Sequence, residues 1–230
     1  MKAVILSSGG VDSTTCLALA VKEQGTKNVA TISVFYGQKH QKELEAARLV
    51  AEHYGVRHAE YDLASVFRGS TCALLSGAPQ EIEHRSYAEQ LEGRERDGVS
   101  TYVPFRNGLM LAAAASAAGS IFENEDVLLY LGAHADDAAG NAYADCSEEF
   151  LHAMGEAISV GTYGRIRLVA PFAGKPKAEV VKTGLALGVP YELTWSCYEG
   201  GDAPCGTCAT CRDRAAAFRA NGAKDPALAK

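Results

Sequence analysis

Ser8-Gly9-Gly10-Val11-Asp12-Ser13 lies between the apolar run Ala3-Val4-Ile5-Leu6 and the helix-patterned run from Thr14 to Lys22, and it constrains the fold more than any other stretch. A short β-type run, two glycines, an acidic residue and flanking hydroxyls describe a strand that ends in a tight turn and opens a helix. Glycines let backbone N–H groups approach an anion, and the unpaired N–H groups of the first helical turn face the same point at the positive end of the helix dipole. The turn is therefore a candidate phosphate cradle. It lacks the lysine and spacing of a Gly-x-x-x-x-Gly-Lys-Ser/Thr loop, and the spaced glycines of a dinucleotide fingerprint.

The same alternation continues along the chain. Val29 to Phe35 is a β-branched run, Glu43 to Tyr54 carries Leu44, Ala47 and Ala51 on one face before Gly55, and His58 to Leu63 reads as a third strand. After an irregular, charged excursion from Ala64 to Ser100, read as a possible lid, the pattern resumes. It gives a helix over 107–118, a strand over 126–131, a loop over 132–146, a helix over 147–159, a strand over 166–170 and a helix over 177–187 closed by Gly188 and Pro190. Strands alternating with helices predict an α/β fold with a doubly wound, mostly parallel sheet, whose ligands bind at the strand C-terminal ends. We expect a main domain over 1–192 and a small cysteine-rich unit over 193–230.

The 230 residues and 47% hydrophobic content suffice for a buried core. A net charge of -6 works against direct binding to a nucleic-acid backbone, which relies on clustered Lys and Arg, and favours a small-molecule substrate. The first apolar run is too short for a secretory signal, and the Ala-rich stretch from Leu109 to Phe122 is too short to span a bilayer. The expectation is a cytoplasmic protein with no membrane contact.

Four of the seven cysteines crowd near the C-terminus: Cys197, Cys205, Cys208 and Cys211, separated by seven, two and two residues. Two-residue gaps let thiolates converge on one ion, and four thiolates suit zinc. Two disulfides are disfavoured in a reducing compartment, whereas an iron–sulfur cluster also uses four cysteines. With all four positions taken by protein, a zinc ion here is structural, one per chain. Arg212, Arg214, Ala215, Ala216 and Phe218 suggest a terminal helix pinned by this knuckle.

The glycine loop resembles the Ser-Gly-Gly-x-Asp-Ser loop of PP-loop ATP pyrophosphatases, which cleave ATP between its α- and β-phosphates. Further segments narrow the resemblance: Tyr36-Gly37-Gln38-Lys39-His40, Tyr102-Val103-Pro104-Phe105-Arg106-Asn107, Lys177-Ala178-Glu179-Val180-Val181, Glu192-Leu193-Thr194-Trp195-Ser196-Cys197-Tyr198 and Pro204-Cys205-Gly206-Thr207-Cys208-Ala209-Thr210-Cys211. Together with the loop they are similar to the 7-cyano-7-deazaguanine synthase family, over most of the chain outside 64–100. That family resemblance implies an adenine nucleotide alpha hydrolase-like fold and ATP-dependent conversion of 7-carboxy-7-deazaguanine and ammonia to the nitrile, through an acyl-adenylate and an amide, toward queuosine or archaeosine. It also implies a homodimer.

The resemblance also implies roles for single residues. Ser7, Ser8, Gly9, Gly10, Val11, Asp12, Ser13 and Thr14 hold the ATP phosphates, with Asp12 placing Mg²⁺ or orienting the loop. Asp12, Ser13, Lys177 and Arg106 are the catalytic set; Lys177 neutralises charge on leaving oxygens, and Arg106 pairs with the substrate carboxylate or with phosphate. Tyr36, Gln38, Arg106, Asn107, Asp136, Asp137 and Asp145 face the substrate. Blander roles compete: a surface ion pair for Arg106, a solvated helix position for Lys177, a helix cap for one of Asp136 and Asp137, structural hydrogen bonds for His40 and His134, and a core role for Trp195. The family pattern implies a shorter loop with Ser-Gly-Tyr-Pro-Asp-Cys, where this chain has the longer Asp137-Ala138-Ala139-Gly140-Asn141-Ala142-Tyr143-Ala144-Asp145-Cys146. Competing functions are an adenylating enzyme with another acceptor amine or a tRNA base, and a zinc-stabilised nucleotide-binding module without catalysis.

Overall fold

Strand β1 (Lys2–Leu6) sends Ala3 and Ile5 into one buried cluster and Val4 and Leu6 into another, as the two-residue period of a strand covered on both faces requires. The fold, obtained as a computed structural model that describes residues 1–92, 99–138 and 142–228, is built around this strand. Five parallel strands stand in the order β3-β2-β1-β4-β5, with β2 at Val29–Phe35, β3 at Arg57–Asp62, β4 at Val127–Tyr130 and β5 at Ile166–Val169. The chain moves outward from β1 in one direction and then returns to its other side, so β1 marks the point where strand order reverses. Crevices form at such points, beyond the strand C-terminal ends.

Helices α1 (Val11–Gln24), α2 (Lys42–Tyr54), α7 (Lys177–Leu187) and α8 (Ala209–Ala220) contribute to the cluster on one face, around Leu17, Val50, Val181 and Phe218. The other face packs beneath α4 (Arg106–Ile121), α6 (Glu148–Gly161) and part of the excursion, around Leu111, Ala114, Leu151 and Leu74. Cys197, Cys208 and Cys211 join this second cluster, so the cysteine-rich unit is packed against the same core as the sheet. Fixed C-caps close α2 and α7 with left-handed glycines, Gly55 and Gly188.

Two regions differ from the sequence reading. The stretch expected as a plain loop over 132–146 contains the short helix α5 (Ala135–Ala138) and a 3-10 turn (Ala144–Cys146). The excursion contains α3 (Tyr87–Leu91), held by a capping box between Ser86 and Glu89, and it buries Cys72, Ala73, Leu74 and Leu75 against the sheet. A Ser-x-x-Glu signature was present there, but five residues offer too little periodicity to mark a helix. Positions 93–98 of the expected lid and 139–141 of the lengthened loop lie outside the described residues.

Candidate active site

The C-terminal ends of β1, β2 and β4 open into a cleft of about 200 Å³, lined on one side by the glycine loop and on the other by α4 and the residues flanking Cys197. Ser7, Ser8, Gly10, Asp12 and Ser13 face it directly. Ser8 and Ser13 hydroxyls lie 3.2 Å apart, the Ser8 N–H donates to Ser13 Oγ at 3.2 Å, and the Gly10 N–H donates to Ser8 Oγ at 3.3 Å. The 14-residue α1 begins after Gly10 with no side-chain cap, leaving its first N–H groups for a ligand. Gly9 has φ +74, and a Cβ there would strike the Glu43 carbonyl oxygen and the Ala47 nitrogen of α2; its carbonyl accepts from the Trp195 N–H at 3.0 Å. Gly9 thus shapes the loop from behind. Val11 and Thr14 are fully buried, Val11 in the core, so they can serve a phosphate through backbone alone.

Below the loop sits a charged cluster assembled from four elements. Lys177, the first residue of α7 and 7% exposed, donates from Nζ to Asp12 Oδ2 at 2.9 Å and lies 3.1 Å from His134 Nε2. His134 Nε2 is also 3.3 Å from Asp137 Oδ2. Burial raises the pKa of both carboxyls, yet the outcomes differ. At Asp12 the direct Lys177 bond and the nearby His134 outweigh burial and hold the carboxyl below its ordinary value, whereas Asp137 lacks that bond and is raised. Lys177 is raised despite its own burial, because Asp12 and Asp137 favour its charge. Asp12 Oδ1 and His134 Nδ1 are buried without a hydrogen-bond partner among the described residues. An orphaned carboxylate oxygen beside an uncapped helix N-terminus fits a metal-bound polyphosphate. A Cβ on Gly132 would stand 2.8 Å from Asp12 C and Ser13 N, so only glycine lets the chain leaving β4 approach this close. Asp136, outside the cleft lining, accepts the Lys177 N–H at 2.8 Å and caps α7, whose own N-cap is Pro176.

Arg106 opens α4 across the cleft. The preceding Phe105 adopts a left-handed conformation (φ 53), which turns the chain sharply so that Arg106 faces inward while Phe105 stays exposed. The Arg106 guanidinium lies 5.3 Å from the Tyr36 ring centre and donates to Tyr36 Oη at 3.4 Å. Gln38 lines the cleft and accepts the Tyr36 N–H at 2.8 Å, fixing the turn after β2. Asn107 also lines the cleft, but its hydrogen bonds run backward: its N–H donates to Asp145 Oδ2 at 2.8 Å, and its side-chain amide to the Asp145 carbonyl and Cys146 Sγ, both at 3.2 Å. Asp145, 4% exposed and absent from the lining, caps α4 and so fixes Arg106 from behind.

Several lining residues escaped the sequence reading. Tyr87 from α3, Tyr143 from the lengthened loop and Tyr198 beside Cys197 converge, with Tyr198 Oη 2.8 Å from Tyr87 Oη and 3.3 Å from Tyr143 Oη. Thr101 Oγ1 bonds Tyr143 Oη at 2.6 Å. Glu43, in the first turn of α2, and Asp213 of α8 also line the cleft. These residues come from segments far apart in sequence, and a lone Tyr or Glu carries no local motif. Trp195 lines the cleft as well and donates from Nε1 to the Cys197 carbonyl at 2.8 Å. His40 instead packs its ring against Trp195.

The four Sγ atoms of Cys197, Cys205, Cys208 and Cys211 all lie within 4.8 Å of one another. A tetrahedron with metal–sulfur bonds of about 2.3 Å has sulfur separations of about 3.8 Å, so the group suits one thiophilic ion. The N–H groups of Cys205 and Cys208 donate to Cys197 Sγ and Cys205 Sγ, each at 3.3 Å, which supports charge on the sulfurs. Cys197, Cys208 and Cys211 are buried, and Cys205 is partly exposed.

The family described as "Queuosine biosynthesis protein QueC" matches residues 2–222. The chain belongs to that family. A QueC-family relative from Archaeoglobus fulgidus, named 7-cyano-7-deazaguanine synthase, is 42% identical over 229 residues, covering 99% of this chain and 90% of the relative. Proteins of the same name from Caldicellulosiruptor saccharolyticus and Methanoculleus marisnigri are each 41% identical, covering 98% of this chain and 94% and 97% of theirs. Membership spans both the glycine loop and the cysteine cluster of this QueC-family chain. No described helix is long and apolar enough to cross a membrane.

Proposed function

We propose that the chain is a ligase that converts 7-carboxy-7-deazaguanine and ammonia to 7-cyano-7-deazaguanine with consumption of ATP. The observation that carries this reading, beside family membership, is one cleft in which an uncapped, glycine-built anion cradle faces a fixed guanidinium. A carboxylate is a poor acyl donor because its oxygen leaves badly. Adenylation supplies a phosphate-stabilised leaving group, ammonia then gives the amide, and a second adenylation of the amide oxygen permits its loss to form the nitrile.

In this reading the backbone and hydroxyls of Ser7 to Thr14 hold the phosphates. Asp12 would hold Mg²⁺, which supplies charge neutralisation of the phosphates. Lys177 stabilises charge on the departing pyrophosphate from a site prepared by Asp12 and His134. Arg106 orients the substrate acid, with Tyr36 fixing the guanidinium plane. Cys197, Cys205, Cys208 and Cys211 would hold a zinc ion, which would fix Ser196 and Tyr198, the neighbours of Cys197, on the cleft wall. A cytoplasmic homodimer with 193–230 as its zinc-binding subregion completes the reading.

The test is to supply purified protein with ATP, Mg²⁺, ammonium and the acid, and to follow product mass and the fate of ATP. Expected are the nitrile, AMP and pyrophosphate, with product formation abolished in Ser13→Ala and Asp12→Ala. Absence of ATP turnover with this acid would remove the reading.

A further inference from the structure

The chemistry just proposed has a demand that the phosphate cradle does not meet. Capture of ammonia by the acyl-adenylate forms a C–N bond, breaks the C–O bond to AMP and sheds one N–H proton. After the second adenylation, closing the C≡N bond sheds two more as AMP leaves with the C–O electron pair. Nitrogen arrives with three hydrogens and departs with none, so a group beside the acyl carbon must take protons repeatedly near neutral pH.

We infer that Glu43 is this proton acceptor, an inference that rests on the ligase reading above. Glu43 stands in the first turn of α2, half-buried, and lines the cleft. It feels the Arg106 guanidinium from α4 and the Tyr36 phenol from the end of β2, the two groups that frame the site for the substrate acid. On its own helix, Lys42 is engaged with Glu45 at 3.8 Å and lies over the Trp195 ring. The other ionisable groups of the cleft are Asp12, Asp137, Lys177 and Asp213 below the loop, Tyr87, Tyr143 and Tyr198 on the far wall, and the Cys146 thiol, which burial pushes well above its ordinary range.

Five of these groups are unsuitable for the task. Asp12 is committed to Lys177, Lys177 is cationic, and the tyrosines are pushed above their ordinary range by burial. Asp137 faces His134 at 3.3 Å, on the phosphate side, and Asp213 feels the charges of that same Lys177 cluster. Glu43 differs in sharing the cleft wall with Arg106, whose charge it feels. Burial pushes its carboxyl up to about 7, with Arg106 opposing, so it can hold and release a proton at neutral pH. Glu43 takes each proton from nitrogen and returns it to solvent at the cleft mouth before the next step.

Glu43→Gln tests this, with three readouts. Acid-dependent ATP–pyrophosphate exchange, which needs no proton removal from nitrogen, should fall less than about tenfold, while nitrile formation from the acid or from supplied amide falls at least about a hundredfold. The wild-type kcat should rise with pH through an acidic limb near 7, and that limb should vanish in E43Q. Glu43→Asp, which keeps a carboxyl, should retain the limb with reduced rate, and it carries the same test if E43Q folds poorly. Nitrile formation by E43Q within a few-fold of wild type, a surviving limb, equal loss of both reactions, or a raised KM for the acid with kcat and its pH profile intact would each overturn the assignment. Failure of the ligase reading looks different: wild-type protein itself would show no acid-dependent exchange.

Discussion

The two walls of the cleft are built by opposite strategies. The phosphate wall is contiguous: residues 7–14 supply its backbone, and one lysine and a few acids from the β4 and α7 junctions complete it. The aromatic wall is assembled from α3, the lengthened loop and the cysteine knuckle, meeting through Tyr87, Tyr143 and Tyr198. The first depends on fixed charge, the second on packing between distant segments. A single substitution should therefore act in different currencies on each: on the chemical step at the phosphate wall, on substrate affinity at the aromatic wall.

The largest effect is expected at Lys177. Lys177→Met should lower nitrile formation at least about a hundredfold through kcat, since charge stabilisation in the transition state is lost. It should also cost about 3 kcal/mol of stability, because Asp12 and Asp137 are left without their cation. The pH dependence carries the sign. In wild type the depressed Asp12 carboxyl contributes stability above its ordinary value of 3.8 that is lost as pH falls through the lower folded value. Without Lys177, burial dominates and Asp12 is raised, so stability is lost as pH rises instead. Thermal melts should show the K177M deficit narrowing toward pH 4; a deficit independent of pH would mean that the cluster is held by packing, not charge.

At the aromatic wall the effect is smaller and lands elsewhere. Tyr198→Phe removes the hydroxyl that joins Tyr87 to Tyr143 without opening a cavity. A net loss of about 1 kcal/mol is expected, seen as a roughly fivefold higher KM for the acid with kcat little changed. A fall in kcat to match that of K177M would erase the distinction between the walls.

This asymmetry explains what the sequence made legible. Five strands, their parallel direction and the glycine loop follow from local patterns: β-branched runs, glycine closures and an uncapped turn before a helix. The cysteine spacing is equally local, and the four sulfurs converge as spacing predicts. Asp136 and Asp145 were legible as acids near the site, and a helix cap was one reading for Asp136 or Asp137, but which helix each serves depends on tertiary placement of α7 and α4. Tyr87 was hidden for a further reason. Its segment has few apolar residues of its own and gains order by leaning on the knuckle, a contact no local period encodes.

That lean raises the question of which contacts hold the excursion in place, and His84 answers it at the smallest scale. His84 lies 2.6 Å from Thr207 Oγ1 and 3.0 Å from Glu199 Oε1, and Arg212 of α8 donates to the His84 carbonyl at 3.2 Å. The His84 and Glu199 side chains are 46% and 41% exposed, where water competes for each bond. The buried Tyr87, Ile82 and Leu74 contribute the rest. If burial governs the docking, His84→Ala should cost no more than about 0.5 kcal/mol, a fall of roughly 2 °C in melting temperature, with KM unchanged. A rise in KM equal to that of Y198F would instead make the exposed rim, and not the buried tyrosines, the clasp that sets the aromatic wall.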